Sequence, residues 1–141
     1  MNNLRKPLIL LAVLLCTFSC QKQNEEEEKQ LILSILEEQE HAWNNYDIEA
    51  FMEGYWKSDS LKFYGGSGLH YGWQETLDNY HKRYPSKEHT GTLNFVINDI
   101  TKIEDNSYYV MGEYHLTRPV GDANGIFMIC LLYTSPSPRD A

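Results

Sequence analysis

The body of this chain lacks cysteine. The three cysteines among its 141 residues are Cys16, Cys20 and Cys130. Residues 21–129 therefore form no disulfide, thiolate metal site or cysteine nucleophile. Histidines are scattered at His41, His70, His81, His89 and His115, with no paired ligand spacing such as HExxH. Neither a metal nor a cofactor is expected. The single glycine cluster, GGSG at 65–68, lacks the lysine and helix signature of a phosphate loop. Scattered serines, histidines and acids give no readable triad either. Positive charge is scarce: 12 Lys and Arg against 20 Asp and Glu give a formal charge of −8. Beyond HKR at 81–83, which reads as a solvated helix face, there is no basic cluster. That argues against nucleic acid as a partner, because phosphate binding needs a basic surface. Long apolar runs are missing as well. The stretch from Leu8 to Phe18 falls short of the ~20 residues that span a bilayer comfortably. There is no internal repeat, and the only low-complexity segment is the glutamate run at 25–28.

What is present begins with an export leader. Arg5 and Lys6 precede the apolar stretch, and a polar segment follows it at once; this is the order of a signal peptide over residues 1–19. The run ends in TFSC, which resembles the bacterial lipoprotein box, where small residues precede the cysteine that becomes the lipidated first residue. Carried over, that residue is Cys20. Phe18 is bulkier than the commonest pattern, which leaves ordinary secretory cleavage open. QKQNEEEE follows, with like charges and nothing to bury, so residues 20–29 are expected to form an extended acidic tether. A cysteine followed by Gln-Lys and acids also resembles the surface-export signal of Bacteroidetes lipoproteins. This implies a protein lipid-anchored in the outer membrane and exposed at the cell surface, with the anchor as its only membrane contact.

The length allows one domain. Ten Tyr and three Trp suit both a core and a pocket, where an apolar ring and a polar tip are each useful. In residues 27–46, Ile32, Ile35, Leu36, Gln39, Trp43 and Tyr46 recur at helical spacing. Asp47 is placed to cap a second helix, IEAFMEGYW. LKFYGG reads as a strand with a glycine turn, and YGWQETLDNYHKRY as a third helix stopped by Pro85. TLNFVINDI alternates with period two, the mark of a half-buried strand. EDNS is a turn, SYYVMGEYHLTR its hairpin partner, and IFMIC a further strand. Three helices with one early strand, then an antiparallel meander, make an α+β domain.

AWNNYDIEAFMEGYW, DSLKFYG, YGWQETLDNY, GTLNF and YYVMGEYHLTR, in this order and spacing, resemble the nuclear-transport-factor-2-like superfamily. The branch they look closest to is the SnoaL-like set of small secreted bacterial proteins and domains of unknown function. The resemblance covers residues 30–129. It implies a cone: a curved antiparallel sheet around a long first helix, packed on three helices, with a pocket at the wide end. Members include isomerases, dehydratases, polyketide cyclases and non-catalytic binding or dimerising domains, so fold is indicated more closely than activity. Such domains normally end in a further strand. Here CLLYTSPSPRDA stands in its place and resembles the translation of a sequencing-library transposase adapter, which implies a native chain to about Ile129 and a non-native tail at 130–141. Pro136 and Pro138 lack the N–H that a central strand needs. The last strand is thus expected to be missing or replaced.

Three sets of side chains are candidates for function. Glu113 and His115 lie two apart on one strand, so they share a face and could act as base and orienter. The alternate set, Tyr108, Val110, Tyr114 and Leu116, is an equally good inward face. Asp59 could serve as a tuned carboxylate, or as a residue of the Ser-Asp-Ser turn. Trp43, Tyr55, Trp56, Tyr71 and Trp73, with Phe63 and Tyr80, form the aromatic set expected to line a ligand surface. These sets support three readings. The first is an envelope-anchored domain that binds a small, partly apolar molecule without turnover. The second is a small acid–base enzyme of isomerase, dehydratase or hydrolase type. The third is a homodimer assembled through its sheet.

Overall fold

In the computed structural model of the protein, the backbone is described for residues 5–104 and 106–132, with side chains from residue 25 onward. The side chain of Cys20, where lipidation is proposed, and the tail beyond Leu132 therefore lie outside what the structure describes. The chain divides into two compact units, Met1–Ile35 and Leu36–Ala141, and α1 (Arg5–Asn44) runs through both. Residues 20–29 continue this helix rather than running extended. Pairs four residues apart support the helical turns there: Lys29 Nζ lies 2.8 Å from Glu25 Oε1 and Gln30 Nε2 lies 3.1 Å from Glu26 Oε1. Among the described residues, no helix is long and apolar enough to cross a membrane.

The second unit holds the rest of the fold. Helix α1 ends at Asn44 because Tyr46 adopts a left-handed conformation, φ 62°. The Tyr46 N–H donates to the Trp43 carbonyl (2.9 Å) and the Asp47 N–H to the Ala42 carbonyl (2.9 Å), closing the helix end in a Schellman arrangement. Asp47 then caps α2 (Ile48–Met52), accepting from the Ala50 N–H at 2.9 Å. The second helix is shorter than its sequence suggests. Gln39 Nε2 donates to the Phe51 carbonyl (2.9 Å) and the Trp73 indole N–H to the Met52 carbonyl (2.9 Å). Two side chains thus satisfy carbonyls that a longer helix would have used internally. This also explains the buried glutamine on an otherwise apolar stripe.

The early strand is one arm of a hairpin, β1 (Lys62–Gly65) with β2 (Gly68–Tyr71), joined by the turn at Gly66 and Ser67. Gly72, at φ 90°, turns the chain into α3 (Trp73–Arg83). Its last turn carries Lys82 and Arg83, positive charge where the helix dipole favours it. A single turn, α4 (Lys87–Thr90), leads to the antiparallel sheet β3 (Thr92–Glu104), β4 (Ser107–Thr117) and β5 (Ala123–Leu132), in spatial order β3-β4-β5. β3 runs past the alternating segment because a register shift between Ile97 and Asp99 bends it without ending its pairing with β4. β5 continues beyond Ile129: Cys130, Leu131 and Leu132 pair with Tyr109, Tyr108 and Ser107. The fold is α+β, with one sheet face turned to the helices.

That inner face carries Leu93, Tyr108, Val110 and Leu116, all buried. Leu93 and Leu116 join Ala42, Trp43, Ile48, Phe51, Met52 and Leu77 in one apolar core. Helix α1 also engages the outer edge of β3. Asn44 Oδ1 accepts from the Leu93 N–H (2.6 Å) while its Nδ2 donates to the Leu93 carbonyl (3.0 Å). Glu40 Oε2 accepts from the Phe95 N–H at 2.7 Å. Two helical side chains thereby stand where a neighbouring strand would be.

Candidate functional site

The aromatic residues supplied by α1, α2, β1 and α3 meet in one cluster. Its floor is Trp43 and Phe51, both buried, with ring centroids 4.9 Å apart and edge-to-face. Its upper part is Tyr55, Phe63, Tyr80 and Tyr84, all half-buried. Phe51 approaches Tyr80 at 5.3 Å, Phe63 approaches Tyr80 at 5.8 Å, and Trp43 approaches Tyr84 at 4.7 Å. These separations are in the range where edge-to-face rings attract. The local sequence makes the meeting possible. Tyr80 and Tyr84 lie four apart at the end of α3, and Phe63 is on the strand whose partner leads into that helix.

Two phenols converge within the cluster. Tyr55 Oη and Tyr80 Oη are 3.5 Å apart, too long for a strong hydrogen bond. A phenol carries one donor and can also accept, so the pair holds two donors and this contact uses one. Burial raises the Tyr55 pKa above the ordinary tyrosine value, with the Tyr80 hydrogen bond opposing. Burial raises Tyr80 well above that value, and the neighbouring Tyr55 adds to the shift. Tyr84 is raised by burial too, partly offset by Arg83. The phenols are thus protonated, neutral hydrogen-bonding groups at physiological pH.

This has a measurable consequence. The unfolded chain loses its phenolic protons from about pH 10, while the folded chain holds those of Tyr55 and Tyr80 to higher pH. The folded state then binds more protons, so stability falls as pH rises above about 10. Tyr80→Phe is expected to flatten the alkaline decline in urea-unfolding stability. An unchanged slope would show that Tyr80 titrates normally.

The five aromatics predicted to line a ligand surface separate. Trp43 is core. Tyr55 belongs to the phenol pair. Trp73 is half-buried against the core, its indole held by Met52, with Lys57 Nζ 5.1 Å from its ring centroid. Trp56 and Tyr71 are 59% and 53% exposed and lie outside the cluster. Helical spacing identifies Phe51, Tyr80 and Tyr84 as apolar-face residues, but nothing in it says that two hydroxyls would meet. Glu113 and His115 do approach each other, His115 Nε2 lying 3.3 Å from Glu113 Oε2. Their side chains are 44% and 47% exposed, on the sheet face opposite Tyr108, Val110 and Leu116. Asp59 is exposed in a turn. Its backbone lies beside Gly72, where an added Cβ would stand 3.8 Å from its carbonyl oxygen. Among the described residues, no group of three or more His, Cys, Asp or Glu is placed to hold a metal.

No protein-family model matches the chain, and no curated protein matches it. Among solved structures, it is similar to an NTF-2-like protein of unknown function from Shewanella oneidensis MR-1. The two are 34% identical over 74% of this chain and 87% of that one, with a TM-score of 0.71. It is also similar to a domain of unknown function with a cystatin-like fold from Nostoc punctiforme. That match has 13% identity, covers 71% of this chain and 65% of the other, and has a TM-score of 0.57, a likeness of fold alone.

Proposed function

Because this chain belongs to the NTF-2-like family, we propose that it is a small-molecule-binding domain carried at the cell envelope, with its ligand site at the aromatic cluster. The observation that carries the reading is the Tyr55–Tyr80 pair, two neutral phenols 3.5 Å apart with a donor to spare, surrounded by Phe51, Phe63 and Tyr84. Rings supply apolar contact area, and the hydroxyls supply one point of polar recognition. The matching ligand is small, partly apolar and uncharged, with an acceptor oxygen such as a ketone or lactone carbonyl. The titratable groups of the cluster are phenols held protonated, which suits binding better than proton transfer.

The test is a panel of neutral aromatic ketones and lactones, screened by ligand-observed NMR and mapped by chemical-shift changes. A binder is expected to perturb Tyr55, Phe63 and Tyr80. Loss of one hydrogen bond, about 0.5–1.5 kcal/mol, should weaken it up to about tenfold in Tyr80→Phe. Shifts that map elsewhere would remove the cluster from consideration. The envelope placement rests on the leader and on TFSC ending at Cys20. Mass spectrometry of the membrane fraction is expected to find acyl groups on that residue, and a soluble, unmodified product would refute the anchor.

A second reading, that the domain also forms homodimers, is favoured by the outer sheet face. Val96, Glu113 and Ile126 form one cross-strand row, and Asp99, Met111 and Met128 the next. Ile126 is 87% and Met128 67% exposed, and Val96 and Met111 40% each; large apolar side chains exposed together, here beside Glu113 and Asp99, mark interaction sites. The occupant we propose is a second copy of the chain. Ile126→Lys is then expected to halve the solution mass measured by sedimentation. A wild-type mass equal to that of one chain would dismiss this reading.

A further inference from the structure

The β1–β2 hairpin and α3 bring together a set of side chains that the aromatic cluster does not use. Ser67 is exposed in the hairpin turn, and its Oγ lies 2.9 Å from His70 Nε2. His70 Nδ1 lies 3.1 Å from Glu75 Oε1. Asn79 Nδ2 lies farther from His70 Nδ1, at 3.4 Å; an amide NH2 only donates, so it makes no hydrogen bond to this nitrogen once Nδ1 carries a proton. A carboxylate only accepts, so Glu75 fixes the tautomer: Nδ1 carries the proton and donates it to Glu75. Nε2 is left as the acceptor for the Ser67 hydroxyl. A nucleophile, a base aimed at it and an acid orienting that base have assembled in the required order.

Helix α3 explains the assembly. Glu75, Asn79 and Arg83 are four residues apart and form one stripe along the helix. Glu75 engages His70. Arg83 stands at the other end, beside the turn: its Nη2 would lie 3.6 Å from a Cβ placed on Gly66. A guanidinium is therefore stationed next to the residue preceding the nucleophile. On the other side is Gly68, where an added Cβ would meet nothing within 4 Å. The space beside Ser67 is open to a substrate, and solvent reaches the turn directly.

We propose that Ser67, His70 and Glu75 form a nucleophilic relay that cleaves small carboxylic esters, with Arg83 holding the developing oxyanion. Ser67 Oγ attacks the acyl carbon as its proton passes to His70 Nε2. The carbonyl π electrons move to oxygen, facing the Arg83 guanidinium. Collapse re-forms the carbonyl and expels the alkoxide, which takes the proton from His70 and departs as the alcohol. Water then attacks acyl-Ser67 by the same route, releasing the acid and restoring the hydroxyl. Nothing is oxidised or reduced. Ser67 and His70 are the catalytic residues, and Glu75 is a positioning residue. This site is separate from the Tyr55–Tyr80 pair, and either can fail without the other.

The experiment treats the whole protein with diisopropyl fluorophosphate and, in parallel, follows 4-nitrophenyl acetate hydrolysis. One adduct is expected, on the peptide carrying Ser67, and none there in Ser67→Ala. His70→Gln should slow both labelling and turnover by about 10²–10⁴-fold. Glu75→Gln should lower kcat with little change in KM, and Glu75→Asp should recover part of it. Circular dichroism of each variant separates chemistry from folding, and Ser67→Ala, at an exposed turn, leaves the core untouched. No adduct on Ser67, or labelling of Ser67 at the same rate in a folded His70→Gln protein, would overturn the proposal.

Discussion

Trp43→Ala is expected to cost the domain about 3–5 kcal/mol, the range for deleting a buried tryptophan side chain. Trp43 is 3% exposed and touches rings from two other elements, Phe51 of α2 and Tyr80 of α3, as well as Tyr84 just beyond α3. Its indole N–H also donates to the Thr90 carbonyl at 3.1 Å, so the variant loses a hydrogen bond together with its packing. Against a total stability of about 5–15 kcal/mol for a small domain, this loss consumes a large share. Trp43→Phe separates the two parts: it keeps most of the apolar area but leaves the Thr90 carbonyl unpaired, at about 1–3 kcal/mol. Trp56→Ala is the control, because Trp56 is 59% exposed and surface substitutions usually stay within about 0.5 kcal/mol. Urea-unfolding midpoints at constant m-value order the three. A Trp43→Ala midpoint no lower than that of Trp56→Ala would contradict the core described above.

Gly91→Ala is the second large effect. Gly91 closes α4 at φ 62°, ψ −136°, a conformation costly for any residue with a side chain. A Cβ there would run into the Thr117 carbonyl oxygen and stand 3.0 Å from Arg118 Cα, both backbone atoms that a rotamer change cannot move. Strain of about 1–3 kcal/mol adds to overpacking of similar size, about 1–3 kcal/mol. Gly121→Ala isolates the first component. Gly121 has φ 114°, but nothing lies within 4 Å of an added Cβ. Gly91→Ala should therefore lower the urea midpoint well beyond Gly121→Ala, and equal shifts would show that the start of β3 moves freely away from Thr117.

Much of this architecture is legible in the residues because period is a local property. Leu93, Phe95 and Ile97 alternate with polar partners, and the strand forms there. Tyr108, Val110 and Leu116 alternate with Glu113 and His115, and the apolar set faces the core. The leading helix and α3 are equally plain from their spacing. What is not legible depends on chain returning to chain. GLHY at 68–71 is too short to declare itself a strand before it pairs with Lys62–Gly65. The second helix stops early because Gln39 and Trp73, distant in sequence, satisfy its last carbonyls. Aromatic spacing identifies helix faces without revealing that Tyr55 and Tyr80 place their hydroxyls together while Trp56 and Tyr71 point outward. Ser67, His70 and Glu75 carry no sequence signature, since a hairpin and a helix start must fold before they touch.

The hold that Asn44 and Glu40 exert on β3 gives the sheet a direction of growth. Asn44 occupies both the donor and the acceptor of Leu93, and Glu40 the donor of Phe95. A strand from a neighbouring molecule cannot add along that stretch without first prising α1 away. Unpaired strand flanks are where stray polymerisation begins, so this side is capped by its own helix. Among the described residues β5 is the sheet's other outer strand, so lateral extension is directed to that flank, and any engineered fusion or added strand is best joined there.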